Sequence, residues 1–444
     1  MPADILTPDI FNSQFSRDTV PALDVLRREG WTRFNELPLP QRTLQQWRFS
    51  NLDHIKPEGF VLPSAPPSPD VRAALLARSP FIGGSAAAFV FADGYLIEEQ
   101  AIDKDLQARG VIFEPLAVAA LKHPDLLRQH LLKSGAALGG EKFLALHQAY
   151  LGSGYFLYVP DGVEVSRPVV IYNWLAGSNA AVFPHALIVA GDNARINVVD
   201  FYLSADPAGA GFSSAAADIH AGAGAGVSRT VVQDWGTQVR SYQVDATHAG
   251  RDSAVTSVSV NLGAHRARFE NTIRINGVGA NVRVYGLTVA DGEQEFDQRT
   301  LQIHNAGGAY SDLLFKNALL DRARTIFSGL IRVAPDAQKT DAYQANRNLL
   351  LSPDAEANSL PGLEIGANDV RCSHGATTGQ LDDEELFYLL ARGIPKEKAS
   401  ELLVFGFFEE IIGKTDDSEL AGILRDFVRA KFTRRTKGAE DVLF

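Results

Sequence analysis

The chain is predicted to be mainly β, with a parallel β-helix core between an N-terminal helical region and a C-terminal helical domain. Three observations predict this. From about Phe143 to Thr378 helical periodicity fades, and short apolar or alternating runs are separated by Gly, Ala, Asn and Asp turns. In that region a small residue recurs at near-regular intervals just after the turns, at Ala194, Ala225, Ala254, Ala280 and Ala309. Ala323 and Ala337 then follow Ala309 at half that spacing, and Ala367 comes one full interval later. A period of about 28 residues in strand-only sequence is the mark of a solenoid whose coil holds two strand-and-turn units. A jelly roll also has many short strands, but not this regular spacing.

The elements follow in order. Residues 1–80 read as a helical region and linker. Val20, Leu23 and Leu26 recur at helical spacing, Trp47 and Phe49 form a compact aromatic pair, and Pro63 to Pro69 is a proline-rich crossover. Residues 81–142 mix strand and helix: one or two strands turn at Asp93-Gly94, and Phe113 to Leu132 is predicted helical with a break at His123-Pro124. The predicted β-helix core spans 143–380, and its coil edges must be capped or joined to a partner. Residues 381–444 return to helix. Asp382 and Asp383 occupy a first turn, Leu386, Phe387, Leu389 and Leu390 form an apolar face, and Gly393 stops the helix before Pro395. A very apolar helix follows over Ala399–Ile412, then a third over Leu420–Phe432 running into a basic stretch to Lys437. That apolar surface either docks a partner or covers the last solenoid coil.

Composition excludes several classes. With 444 residues the chain exceeds a single compact core. A net charge of −11 argues against non-specific binding to nucleic acid or anionic membranes. No run reaches the ~18 apolar residues of a membrane span, and the N-terminus does not read as a secretory signal. A single cysteine excludes an internal disulfide and an internal all-cysteine iron–sulfur cluster, and it fits a reducing cytoplasm.

That cysteine, Cys372, stands two residues before His374, so a strand here puts both on one face. Thiolate and imidazole are ligands for iron or zinc, or a nucleophile and its base. Two donors cannot close a four-ligand site, so a metal on this face needs ligands from another chain. The bland alternatives are a buried small apolar cysteine and a histidine bonded to its own turn. Five other histidines, His185, His220, His248, His265 and His304, show no shared spacing and read as surface or structural residues. No HExxH, Walker-type loop or G-x-S-x-G occurs, and the glycine-rich Ala221–Gly226 reads as a solenoid turn. A β-helical polysaccharide-active enzyme needs aligned acidic residues; Asp252, Glu270 and Asp291 fall on different coils without evident alignment.

The stretch from about 325 to 412 resembles the SufB/SufD family of iron–sulfur cluster assembly proteins, in its SufD branch. The resemblance rests on Phe327-Ser328-Gly329-Leu330-Ile331, Ala337 to Gln344, Asn348 to Ser352, Pro361 to Ile365, and above all Asn368 to Thr377 with its Cys372-Ser373-His374-Gly375-Ala376-Thr377. Leu386 to Leu389 and Arg392-Gly393-Ile394 add to it, as does Gln46 to Leu52 upstream; Asn368 stands where Asp is usual. The resemblance implies a right-handed β-helix and a non-catalytic scaffold subunit. It implies two partners, SufB and the ABC-type ATPase SufC, which hydrolyses the ATP. It further implies that His374 and Cys372 contribute to a transient cluster or iron site shared with SufB, and that SufC docks on the C-terminal helices. The docking residues expected there are Leu386, Phe387, Phe405, Phe407, Phe408 and Ile411. A homodimer through the open solenoid edge is expected when SufB is absent. A purely structural subunit is the other reading.

Overall fold

The computed structural model describes residues 4–14, 20–52, 57–80, 84–415 and 417–440, with side chains up to Arg434. Two parallel sheets face each other in a solenoid of about eight turns. From Ser153 onward successive strands alternate between them, except that the short strand Ala180–Val182 precedes Pro184–Ala190 in the same sheet. Sheet I stacks Glu164–Leu175, Arg195–Ser204, Gly226–Asp234, Ala254–Asn261, Asn281–Ala290, Tyr310–Leu319, Asp341–Leu350 and Arg371–Gln380. Sheet II stacks Ser153–Val159, Pro184–Ala190, Ala210–Ala221, Gln238–Ala249, Arg266–Ile275, Glu295–His304, Arg324–Val333 and Glu356–Ile365.

The register explains the period seen in the sequence. Gly226, Ala254, Asn281, Tyr310, Asp341 and Arg371 sit one above another on consecutive coils. The early corners before this row close with a local backbone bond, as from the amide of Ala194 to Gly191, Ala225 to Gly222 and Ala280 to Gly277. In these corners the last residue is small and fully buried, as Ala194, Ala225, Ala280 and Ala309 are. Three members of the predicted row are displaced: in the third of these corners the inward residue is Ser253, whose amide bonds Gly250, and Ala254 is exposed, while Ala337 and Ala367 lie three residues before the positions next to the strands, which Thr340 and Val370 occupy. The corner also needs a left-handed residue, supplied in turn by Asn193, Gly224, Asp252 and Gly279, with φ between 55° and 73°.

The strand region starts at Ser153 rather than near Phe143. Phe143 belongs to a helix, Glu141–Ala149, and its ring stacks on Tyr242 of sheet II at 3.7 Å. Phe113, predicted helical, lies in a short strand, Ile112–Pro115; the helices Leu116–Lys122 and Pro124–His130 follow it. The edge position beside Ser153–Val159 overrides local helical spacing there. The strands Ala87–Ala92 and Tyr95–Gln100 form the hairpin predicted at Asp93-Gly94, and Ala87–Ala92 pairs with Glu164–Leu175. The solenoid is thus capped at its N-terminal end by antiparallel strands on both sheets.

The outer face of sheet II is covered by the helices Pro21–Glu36, Leu116–Lys122, Pro124–His130 and Glu141–Ala149. Trp47 is buried here, apart from the half-exposed Phe49. Its indole N–H donates to the Gly139 carbonyl at 2.9 Å, and the Arg268 guanidinium lies 3.7 Å from its ring centre. Arg268 in turn pairs with Glu270 at 2.7 Å and with Asp297, so the Gln46–Leu52 segment clamps the cover onto a buried ionic cluster.

The C-terminal helices Lys396–Ile412 and Ser418–Glu440 pack on the outer face of sheet I, not over the last coil, and Asp383–Ala391 rests against Lys396–Ile412. Val404, Phe408, Ile411, Ile412, Leu424 and Val428 bury against Val199, Phe201, Tyr285, Leu287 and Leu314. Asp382 caps the first helix by accepting from the amides of Glu384 and Glu385 at 2.8 and 3.0 Å.

Candidate functional site at the open end of the solenoid

Among the described residues, Glu356–Ile365 and Arg371–Gln380 are the last strands of their sheets, and each pairs on one side alone. Their residues are half-buried or exposed, in contrast to the fully buried Glu295–His304 two coils earlier. One end of the solenoid is therefore capped and the other presents two free strand edges, a row of amides and carbonyls ready to pair.

Cys372 and His374 stand on the last strand. Alternation places them with Thr378 on one face, and Thr378 receives a hydrogen bond from the interior Asn348 at 3.2 Å, so the face is the inward one. They stack over Ala342 and Gln344 of the preceding coil. Among the described residues no further strand lies above His374, which leaves it exposed at the mouth of the solenoid. Cys372 is half-buried against Ile331, Val333, Ala342 and Leu363. Burial pushes its thiol pKa up, the Asp341 carboxylate adds to this, and a hydrogen bond with the Ala342 backbone opposes it. A thiol held protonated is a poor nucleophile, so the cysteine–base reading loses ground. A metal can still displace that proton.

The rung is held from behind by polar side chains. Gln233, Asn261, Thr288, Asn317, Asn348 and Thr378 occupy one inward row in register. Gln298 donates to Thr288 and Asn317, Asn317 to Asn348, and Asn348 to Asn346 and Ser359. Gln344 spans the interior to the carbonyls of Gly329 and Gly362 at 3.2 and 3.1 Å. This ladder fixes the terminal coil to its neighbours. It was missed in the sequence because its members lie a full coil apart and mix Gln, Asn and Thr.

The six residues expected to dock a partner separate in the structure. Phe408 and Ile411 are fully buried in the helix–sheet core and cannot meet a partner; their apolar character serves packing on sheet I. Leu386, Phe405 and Phe407 are half-buried, with Phe407 under the Lys316 ammonium at 4.6 Å. Phe387 is 70% exposed, with Tyr388, Leu390 and Leu402 also open. The first C-terminal helix buries no residue, and an open groove of about 830 Å³ runs between it and the second.

Glu410 ties the second helix down, 2.5 Å from Lys316 and 3.0 Å from Arg347, while Glu409 pairs bidentately with Arg425. Glu410→Lys sets a third cation against Lys316, itself buried. A loss on the order of 2 kcal/mol is expected as a lower urea midpoint. An unchanged midpoint contradicts this anchoring role.

The acidic residues of the enzyme reading do not converge. Asp252 is in an exposed corner, Glu270 is buried with Arg268, and Asp291 pairs with Lys431 at 2.6 Å. The histidines do converge: His130, His147, His185, His220 and His248 gather on the outer face of sheet II. Among the described residues, no group of three or more His, Cys, Asp or Glu is placed to hold a metal ion.

A capped-then-open β-solenoid with a thiol and an imidazole on its last coil defines a class: a β-solenoid subunit with an unpaired end among the described residues. Comparison with known proteins identifies the family. Residues 173–407 match the SufBD core domain of the SUF system for FeS cluster assembly, and residues 11–171 match the SufBD N-terminal region. The chain belongs to the SufBD family, as a SufD-type iron–sulfur cluster assembly protein. It is 33% identical to the iron–sulfur cluster assembly protein SufD of Bacillus subtilis, over 70% of this chain and 72% of that one. It is 28% identical to the protein of the same name in Escherichia coli, over 86% of both chains. A SufBD family protein of Synechocystis is 27% identical over 97% of this chain and 98% of its own.

Proposed function

We propose that this chain is the non-catalytic SufD-type subunit of a SufBCD scaffold, working in the cytoplasm. Its last coil joins a SufB subunit edge to edge, and His374, with Cys372 beside it, contributes to a nascent iron–sulfur cluster at that junction. The observation that carries this reading is the pair of free strand edges with both donors on the terminal rung. The cluster is cargo, built there and passed on. Its remaining ligands come from the partner. With the SufB subunit absent, the same edges pair two copies of this chain.

A SufC-type ATPase docks on the first C-terminal helix and its groove, and hydrolyses the ATP. Phe387 and Tyr388 are the exposed anchors in place of Phe408 and Ile411. The test is anaerobic co-expression with SufB-type and SufC-type subunits. Expected is one complex carrying iron and sulfide, from which Phe387→Asp with Tyr388→Asp loses the ATPase at least tenfold in affinity, as for central aromatic anchors. Full ATPase retention in the folded double variant removes the docking assignment.

A further inference from the structure

The clustered histidines come from separate elements of the chain. His185, His220 and His248 stand on three adjacent strands of sheet II, facing outward, with Asp218 among them. His130 ends the helix Pro124–His130, and His147 lies in Glu141–Ala149, both in the cover. His147 and His185 are fully buried and 3.0 Å apart between Nε2 and Nδ1; the other His147 nitrogen, Nδ1, meets the Ser214 carbonyl at 2.6 Å. The rings of His220 and His248 stack at 4.7 Å, and His130 packs edge-on to His220 at 4.5 Å. His220 Nε2 reaches the His130 carbonyl at 3.0 Å, and His248 Nε2 reaches Ser134 at 2.6 Å. Asp218 accepts from the amide of Leu132, a left-handed residue, at 2.7 Å. The imidazoles are thus polar contacts joining the cover segment to the solenoid.

The charge around them is unbalanced against protonation. Among the described residues Asp218 is the carboxylate facing the cluster, 3.3 Å from His185 Nε2, while Lys133 and Arg274 add positive charge from the cover and from sheet II. One imidazolium can be compensated; a second meets other imidazoles 4.5 to 4.7 Å away. We propose that this cluster is an acid-sensitive latch, which holds the segment around residues 124–149 on sheet II while its histidines are neutral and releases it when they take up protons.

The direction follows from linkage. Burial, and then neighbouring imidazoles, depress His147 to about 3 and His220 to about 4, and burial also lowers His130 and His248. The released segment binds protons at the ordinary value of 6.5, so the closed state loses stability as pH falls below it. At pH 5.5 each of His147 and His220 shifts the opening constant about tenfold, together about a hundredfold.

Hydrogen exchange of the full chain at pH 7.5 and 5.5, corrected for intrinsic rates, tests this. Expected is about a hundredfold more opening in 124–149 at pH 5.5, with strands 281–333 unmoved. His220→Gln keeps a donor for the His130 carbonyl and loses about a tenfold share of that response, and His220→Lys opens the segment already at pH 7.5. Equal opening at both pH values in the wild type overturns the latch, as does an undiminished response in His220→Gln.

Discussion

Replacing Arg229 by leucine is expected to destabilise the solenoid by about 3–5 kcal/mol at neutral pH, with the loss partly recovered on acidification. Arg229 is fully buried inside the solenoid, its Nε donating to Asp200 of the adjacent strand at 2.7 Å and a terminal nitrogen to Asp245 of sheet II at 2.9 Å. Tyr155 donates to Asp200, and Gln243 to Asp245, so the network joins the two sheets across the core. Burial already raises both carboxylates, and Arg229 is the largest effect holding them down. Without it, both carboxylates face a low-dielectric interior with no cation.

The sign is then fixed. Carboxyls whose folded values lie above their unfolded ones favour the folded state when protonated, so stability falls as pH rises through the unfolded range and beyond. Urea midpoints of Arg229→Leu at pH 5 and pH 8 give the result: a large loss at pH 8 and a smaller one at pH 5. A uniform loss at both would mean that cavity formation, not stranded charge, dominates.

Much of the architecture was legible because one physical constraint repeats. Corner after corner takes a small inward residue and a left-handed residue, so Ala194, Ala225, Ala280 and Ala309 recur at coil length. Where serine meets the same constraint at Ser253, the pattern slips by one residue. The Cys372–His374 pair was legible because two residues on a strand share a face. Their inward direction was not, since it depends on stacking over Ala342 and Gln344.

The histidine cluster was hidden for the same reason. His220 and His248 lie a full coil apart in sequence but adjacent in register, and His147 reaches His185 from a helix read as strand. Phe408 and Phe387 are both aromatic on apolar helices. Only packing against sheet I separates the buried one from the exposed one.

His374→Ala is expected to leave the fold unchanged, because the side chain is exposed on the last strand and supports no interior contact. Its effect falls on assembly. A methyl group offers no lone pair to nascent iron, and Cys372, even once a metal displaces its proton, supplies one donor where the wild type offers two. Loss of an outer ligation contact typically costs about 10–100-fold, and loss of a direct ligand at least as much.

The direct test is bound iron and sulfide in anaerobically purified complex, wild type against His374→Ala, co-expressed with SufB-type and SufC-type subunits. The account predicts an intact complex whose iron and sulfide fall at least about tenfold. Equal iron and sulfide in the two complexes would contradict it, and would leave the open end of this solenoid a joint rather than a place of assembly.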